Sequence, residues 1–300
     1  MVRRSVLAMF AVVAIVLGGV VVSTPAGAVV DAAVIVPSPN AGTSNDRVVS
    51  VSCVSATECV AVGRTYTGSA METLAMVWDG SVWSIMPSPN AGTNFDVLLS
   101  VSCVSATECV AVGRTYTGSV TETLVMVWDG SVWSIVSSPN AGTIDDELSS
   151  VSCVSASDCV AVGYTNAGSA TETLAMVWDG SVWSIMPSPN AGTNFDVLLS
   201  VSCVSASDCV AVGYTDTGSV TETLVMVWDG SVWSIVSSPT TSYDDEVKSV
   251  SCVSASECVA VGYTETVIGY VTLVLSLTGP VPPSTTTTVA SGQVVSAFTG

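Results

Sequence analysis

The chain has 300 residues and a formal net charge of −19, because 25 Asp and Glu residues outnumber 6 Lys and Arg residues. Nucleic acid and anionic membranes bind clustered positive charge, so this composition excludes both as expected partners and favours cations and basic surfaces. The sequence contains no His, which excludes His-based acid–base catalysis, His-containing triads and imidazole metal sites.

The N-terminus has the pattern of a secretory signal peptide. Arg3 and Arg4 precede an apolar run over residues 6–22, and the small residues Ala26-Gly27-Ala28 follow. This predicts a signal peptide over residues 1–28, cleaved after Ala28. An uncleaved membrane anchor is the alternative, because the run approaches the ~20 residues that span a bilayer. Cleavage leaves 4 basic residues against 25 acidic ones, a secreted protein of net charge −21 with no membrane segment in its mature form.

A repeat of about fifty residues fills most of the remaining chain. The motif that begins Val51-Ser52-Cys53 and ends at Gly63 recurs from Val101, Val151, Val201 and Val250, at spacings of 50, 50, 50 and 49 residues. A fixed period of this size indicates a propeller, a solenoid or an array.

Each copy predicts four short β-strands, since Val, Ile, Thr, Tyr and Trp are enriched and helix signals are absent. In the second copy the strands are predicted at residues 97–104, 109–116, 122–128 and 132–136. Asp129-Gly130 is the dipeptide preferred in a two-residue hairpin turn between the third and fourth strands. Four antiparallel strands per repeat are the content of one propeller blade.

Every copy carries two cysteines, in an exported chain where disulfides persist. Five residues folded as a tight hairpin place the two Cβ atoms of each pair opposite one another. We therefore predict disulfides within the repeats, at Cys53–Cys59, Cys103–Cys109, Cys153–Cys159, Cys203–Cys209 and Cys252–Cys258.

The two ends of the repeat region complement each other. The fifth copy stops at Gly279 without a fourth strand, whereas residues 35–42 match the fourth-strand segment at residues 85–92. Pairing of residues 34–37 with residues 272–276 would complete the last blade and remove open sheet edges. We therefore predict an all-β fold over residues 29–279, a five-bladed β-propeller of four-stranded antiparallel blades closed by the N-terminal strand.

Residues 280–300 differ in composition from the repeats. Pro280, Pro282 and Pro283 precede four consecutive Thr residues, and such a stretch does not build a core. We expect a disordered tail that serves as a linker or stalk.

One acidic position recurs in the connection that enters each first strand. In a propeller these five carboxylates would surround the mouth of the central channel, where they would bind calcium or a cationic ligand. The alternative is that each carboxylate caps its own loop through local backbone hydrogen bonds. The candidate residues are Asp46, Asp96, Asp146, Asp196 and Asp245.

The motif Cys-Val-Ser-Ala-x-x-Cys-Val-Ala-Val-Gly, followed by Trp-Asp-Gly-Ser-x-Trp-Ser, resembles the repeats of bacterial secreted and cell-surface proteins. The resemblance covers residues 35–279. It implies a propeller-like fold and no particular ligand, because the function of such proteins is not established. The repeated Trp residues are expected to pack between blades, and stacking on sugars is the alternative.

These patterns favour a secreted, non-enzymatic binding or surface-interaction module with an unknown extracellular ligand, cationic or glycan, and leave cell-surface association open. No cofactor is expected apart from the calcium alternative. A carboxylate-dependent glycosidase and a purely structural surface protein are the competing functions. Glycosidases need acids in unlike environments, whereas near-identical repeats offer similar ones.

Overall fold

The computed structural model describes residues 33–42, 44–241 and 243–279. The predicted signal peptide and the predicted tail lie outside these residues. The chain divides into two compact units after Val36. Residues 33–36, the described part of the first unit, form no helix or strand. Within the described ranges, no helix has the length and apolar character needed to cross a membrane.

The second unit consists of five consecutive groups of antiparallel strands, here called repeats 1 to 5. Repeat 1 contains β1 (Ser44–Ser55), β2 (Glu58–Tyr66), β3 (Met71–Trp78) and β4 (Trp83–Met86). Repeat 2 contains β5 (Phe95–Ser105), β6 (Glu108–Tyr116), β7 (Thr121–Trp128) and β8 (Trp133–Val136). Repeat 3 contains β9 (Asp145–Ser155), β10 (Asp158–Asn166), β11 (Thr171–Trp178) and β12 (Trp183–Met186). Repeat 4 contains β13 (Phe195–Ser205), β14 (Asp208–Asp216), β15 (Thr221–Trp228) and β16 (Trp233–Val236). Repeat 5 contains β17 (Asp244–Ser254), β18 (Glu257–Thr266) and β19 (Gly269–Thr278).

The all-β prediction and the four-stranded repeat are confirmed, with strand bounds close to those predicted. The hairpin at Asp129-Gly130 differs from the prediction. Trp128 pairs with Trp133, so the loop holds four residues and the fourth strand begins at Trp133. Asp129 makes the longer loop stable, because its Oδ1 accepts hydrogen bonds from the backbone of Ser131 and Val132, both at 2.8 Å. Gly130 adopts a φ of 91°, which favours glycine.

The predicted closing strand is not formed. Residues 33–42 contain no strand, and β19 pairs with β18 in a separate three-stranded sheet. The segment has weak means of pairing, because Pro37 and Pro39 lack backbone N–H groups. Ala33 also occupies the position equivalent to Trp83, the residue that pairs with Trp78 in repeat 1. The described sheets are therefore not closed into a ring.

A β-bulge in every first strand explains the glycine that recurs in every second strand. In repeat 2 the pairing shifts register between Leu98 and Ser100, opposite Gly113. A Cβ at Gly113 would lie 1.9 Å from the carbonyl oxygen of Val97, so only glycine fits beside the bulge.

Five disulfides join the predicted pairs, Cys53–Cys59, Cys103–Cys109, Cys153–Cys159, Cys203–Cys209 and Cys252–Cys258. Each bridges the first and second strands at their hairpin, where the two cysteines are direct cross-strand partners, as Cys103 and Cys109 are. Disulfides persist mainly in oxidising compartments, so this framework is typical of an extracellular protein.

The hydrophobic core lies between successive repeats. Between repeats 1 and 2, Val62 and Ala75 of repeat 1 pack with Leu98, Met126 and Trp133 of repeat 2. Ser50 joins the same junction, because its Oγ accepts a hydrogen bond from the backbone N–H of Val101 at 3.1 Å. The same bond recurs at each later junction. Each repeat therefore buries its apolar face against its neighbour.

Candidate functional site

The five aspartates lie at the start of the first strands, as the sequence places them. Four are buried, from 0% exposed at Asp245 to 2% at Asp146, and Asp46 is half-buried. Each accepts backbone hydrogen bonds from the loop just before it. Asp146, for example, accepts bonds from the backbone N–H of Gly142 at 3.0 and 3.1 Å. The equivalent acceptors are Asp46, Asp96, Asp196 and Asp245.

This geometry is the loop-capping alternative that the sequence left open. Burial acts to raise the pKa of Asp46, but hydrogen bonds from Thr65 and from the backbone of Gly42 outweigh it and lower that pKa. Across the described ranges, no three His, Cys, Asp or Glu side chains form a group that could hold a metal ion. Binding of a cation by the five aspartates therefore stays an untested prediction, while the capping bonds are present.

The Trp residues pack at the junctions between repeats. Trp133 and Trp183 are 4% and 5% exposed, and each forms a tilted pair with the Trp at the end of the preceding strand. Trp83 of repeat 1 is half-exposed, and no described repeat precedes it. Packing is thus the main role of the buried Trp residues, as the sequence predicted.

The last repeat lacks this Trp packing and leaves a groove against repeat 4. Leu277 pairs with Cys258, as Trp228 pairs with Cys209 one repeat earlier. The resulting cavity has a volume of about 660 Å³, whereas the equivalent sites between repeats 1 and 2 and between repeats 2 and 3 measure about 150 and 200 Å³. We call it the terminal groove. Its apolar walls include Val210, Val225, Val227, Trp228, Leu275 and Leu277, and its polar lining includes Asp208, Asp229, Ser237, Ser254 and Ser276.

This groove was not predicted from the sequence. The missing fourth strand was visible, but the number of Trp residues that fill each junction was not. That information appears only when the register places Leu277 at a Trp position.

A second feature lies beside the bulges, where the repeats differ most in sequence. Arg114 of repeat 2 forms an ion pair with Glu147 of repeat 3 at 2.5 Å, and its guanidinium lies 5.2 Å from the Phe95 ring centroid. The hydroxyl of Tyr164 donates to Glu147 at 3.4 Å. Burial raises the pKa of Glu147, and the charge of Arg114 only partly offsets this effect.

The same surface continues into repeats 4 and 5. Lys248 pairs with Glu246 and lies 5.5 and 5.4 Å from the ring centroids of Tyr214 and Tyr263. Burial, followed by interaction with Glu246, raises the pKa of Tyr263 to about 12. We call this surface the charged row, formed by Arg114, Glu147, Tyr164, Tyr214, Glu246, Lys248 and Tyr263. The sequence did not indicate this surface, because residues 33 positions apart meet only across a junction.

No protein-family model matches the chain, and no curated protein matches it. Among solved structures, the chain is similar to YCF48 bound to D1 peptide, at 15% identity and a TM-score of 0.46, over 76% of this chain and 66% of that one. The match thus spans less than two thirds of the YCF48 chain. A mutant Aleuria aurantia lectin AAL in complex with Fucα1-6GlcNAc gives 12% identity and a TM-score of 0.46, over 74% of this chain and 76% of that one. A structure of the GH130 family of mannoside phosphorylases gives 7% identity and a TM-score of 0.39, over 77% and 85%.

Proposed function

We propose that this protein is a secreted, non-enzymatic binding module whose repeats act as the blades of a five-bladed β-propeller. Its ligand is an extended segment of a partner protein, bound at the terminal groove. The observation that carries the proposal is the size of this groove, about 660 Å³, in a protein whose equivalent sites are about 150 and 200 Å³.

The groove is suited to an aromatic side chain. At the junction between repeats 3 and 4, Trp233 is 4% exposed and belongs to the core cluster that includes Val160 and Val162. Repeat 5 has no such Trp among its described residues, so the apolar walls of the groove lack the group that fills the earlier junctions. A ligand aromatic ring would bury apolar surface there, which is the main source of affinity in concave apolar sites.

The backbone beside the groove supports an extended ligand. In repeat 4, β16 pairs antiparallel with β15 from Val225–Val236 to Trp228–Trp233. In repeat 5 the equivalent of β15 is β19, which pairs only with β18 within the described residues. A partner strand added to this edge would form main-chain hydrogen bonds and would direct alternate side chains into the groove.

The protein's own residues 34–37 are the competing occupant, and their pairing would close the ring. Residues 35–42 match the segment at residues 85–92, so this segment has the sequence of a fourth strand. Ala33 stands at the position of Trp83, however, and Val34 and Ile35 are 78% and 98% exposed. Closure in this way would leave the Trp position unfilled.

The experiment uses the mature protein, residues 29–300, and a fourth-strand peptide as the probe. The peptide has the sequence of residues 231–239, Ser-Val-Trp-Ser-Ile-Val-Ser-Ser-Pro, and its control carries Trp233→Ala. Isothermal titration calorimetry should show binding that weakens at least about tenfold in the control peptide, because burial of an aromatic ring is lost.

Two protein variants locate the binding site. Leu277→Arg places a charge in the groove and should abolish binding, whereas Val182→Arg, at a position 53% exposed in repeat 3, should leave it unchanged. Failure of the peptide to bind, or equal affinity for both peptides, would contradict the proposal. Binding only after removal of residues 29–42 would instead show that the protein's own segment occupies the edge and closes the ring.

The absence of catalysis is also a proposal. The support is that the recurring aspartates accept hydrogen bonds in their own loops, and that Glu147 is held by Arg114. A glycosidase needs one carboxyl group free to donate a proton and another free to attack or activate water. Hydrolysis of chromogenic glycosides that Glu147→Gln abolishes would establish the enzymatic alternative. A protein that binds neither probe nor substrate would favour a structural role at the cell surface.

A further inference from the structure

The described residues contain four cationic side chains, and only two of them have an acidic partner. Arg114 pairs with Glu147, and Lys248 pairs with Glu246. Arg47 and Arg64 form no ion pair within the described ranges, although the whole chain has 25 acidic residues.

These two arginines lie opposite each other. Arg47 on β1 and Arg64 on β2 are direct cross-strand partners in the register of the hairpin. Like charges in this position destabilise a strand pair, because their side chains extend on the same face. An anion placed between them would relieve the repulsion and form charge-assisted hydrogen bonds with both guanidinium groups.

The junction between repeats 2 and 3 shows how this position binds a carboxylate. Arg114 occupies in β6 the position of Arg64 in β2, and its carboxylate comes from Glu147 on the first strand of the next repeat. The residue equivalent to Glu147 in the repeat that follows Arg64 is Val97. Repeat 1 therefore has the arginine of this ion pair without the carboxylate.

Space for a ligand is present at the arginine pair. A pocket of about 260 Å³ is lined by Asn45, Arg47, Arg64, Tyr66 and Met71. Arg47 is exposed and Arg64 is half-buried, so the guanidinium groups are accessible without an opening motion. Asn45 adds an amide group, and the pocket has no acidic residue in its lining.

We propose that Arg47 and Arg64 form a binding site for the carboxylate of an acidic segment of a partner protein. The ion pair inside this chain favours a Glu side chain over other anions, because Glu147 occupies the equivalent position against Arg114. Planar guanidinium groups match the two oxygens of a carboxylate, and two of them in one pocket allow bidentate recognition. The site is distinct from the terminal groove and does not depend on the proposed function.

The test measures binding of the capped peptide Glu-Leu-Ser-Ser, the sequence of residues 147–150, to the mature protein at low ionic strength. The control peptide has Gln in place of Glu. We expect Arg64→Gln and Arg47→Gln each to weaken binding roughly tenfold, the contribution typical of a hydrogen bond to a charged group. Lys248→Gln, which removes a cation that already has a partner, should leave binding unchanged. Binding should also weaken as salt is added.

A second variant tests the missing carboxylate directly. Val97→Glu supplies the residue found at position 147, so it should abolish peptide binding in a protein that remains folded by circular dichroism. Should Val97→Glu fail to fold, the arginine variants decide alone. Equal binding of the Glu and Gln peptides, or unchanged binding in both arginine variants, would overturn the proposal. Tighter binding of a glucuronate oligosaccharide than of the Glu peptide would also overturn it, in favour of an acidic glycan.

Discussion

Two neighbouring Trp residues in repeat 2 provide a sharp test of the packing between repeats. Trp128 and Trp133 are 6% and 4% exposed, and their ring centroids are 5.5 Å apart. Trp128 Nε1 donates a hydrogen bond to the carbonyl oxygen of Ala106 at 3.1 Å. Trp133 Nε1 is buried without a hydrogen-bond partner. The two side chains thus have similar burial and different hydrogen bonding.

Replacement of each Trp by Phe should therefore have unequal effects. Both changes remove part of an aromatic ring from the core and leave a small cavity. Trp128→Phe also loses a hydrogen bond, whereas Trp133→Phe removes an unsatisfied N–H that destabilises the folded state. An unsatisfied buried group costs about 1–3 kcal/mol and a typical hydrogen bond contributes about 1 kcal/mol. We expect Trp128→Phe to be the more destabilising change by about 2–4 kcal/mol, the sum of the two effects.

Urea denaturation followed by far-UV circular dichroism measures this difference, provided that both variants keep the slope of the wild-type transition. Trp183→Phe is the matched control, because Trp183 is 5% exposed and its Nε1 also lacks a partner. It should behave like Trp133→Phe. Equal destabilisation by Trp128→Phe and Trp133→Phe would refute the assignment of their hydrogen bonds.

Three further predictions concern the disulfides, the aspartates and the pH dependence. Peptide mapping without reduction should recover only bridges between cysteines six residues apart, and loops this short should each contribute about 2 kcal/mol on the chain-entropy model. Because backbone hydrogen bonds hold Asp146 in its own loop, millimolar calcium should leave the melting temperature unchanged, and Asp146→Asn should cost about 1–2 kcal/mol; a clear rise with calcium would restore the cation-binding hypothesis. Hydrogen bonds from Ser81 and Val82 lower the pKa of Asp79, and equivalent bonds lower the pKa values of Asp129, Asp179 and Asp229. The pKa of Asp46 is also lowered, by the hydrogen bonds described above. A carboxylate whose pKa is lower in the folded than in the unfolded state stabilises the fold above about pH 4, and this stabilisation is lost as the pH falls through the folded-state pKa. The melting temperature should therefore drop on acidification. The drop should be less steep in Asp129→Asn.

The repeat period and the local chemistry were readable from the sequence. Alternating Val and Ser residues specify strands, and the spacing of Cys103 and Cys109 specifies a hairpin that brings the two side chains together. Such features depend on residues close in the chain, so one copy contains all the information needed. The same local pattern recurs in all five copies.

The rest depends on contacts between copies. The ion pair of Arg114 with Glu147 joins residues 33 positions apart, and no local pattern indicates which repeat supplies the acid. The predicted ring closure is not confirmed, for a related reason. A match between residues 35–42 and residues 85–92 shows that the segment resembles a fourth strand. It does not show that the segment binds the last repeat without the Trp that anchors the other fourth strands.

Near-identity of the repeats also indicates where function is concentrated. A contact that occurs at every junction, such as the bond from Val101 to Ser50, holds the array together and distinguishes no site from another. The terminal groove and the Arg47–Arg64 pair each occur once in the array. Leu277 stands at a Trp position in a repeat that lacks a fourth strand, and two arginines face each other only in repeat 1 among the described repeats. One site lies in the last repeat and the other in the first. A partner that presents an aromatic strand and an acidic segment would therefore contact the two ends of the repeat array, and loss of either site should weaken its binding independently of the other.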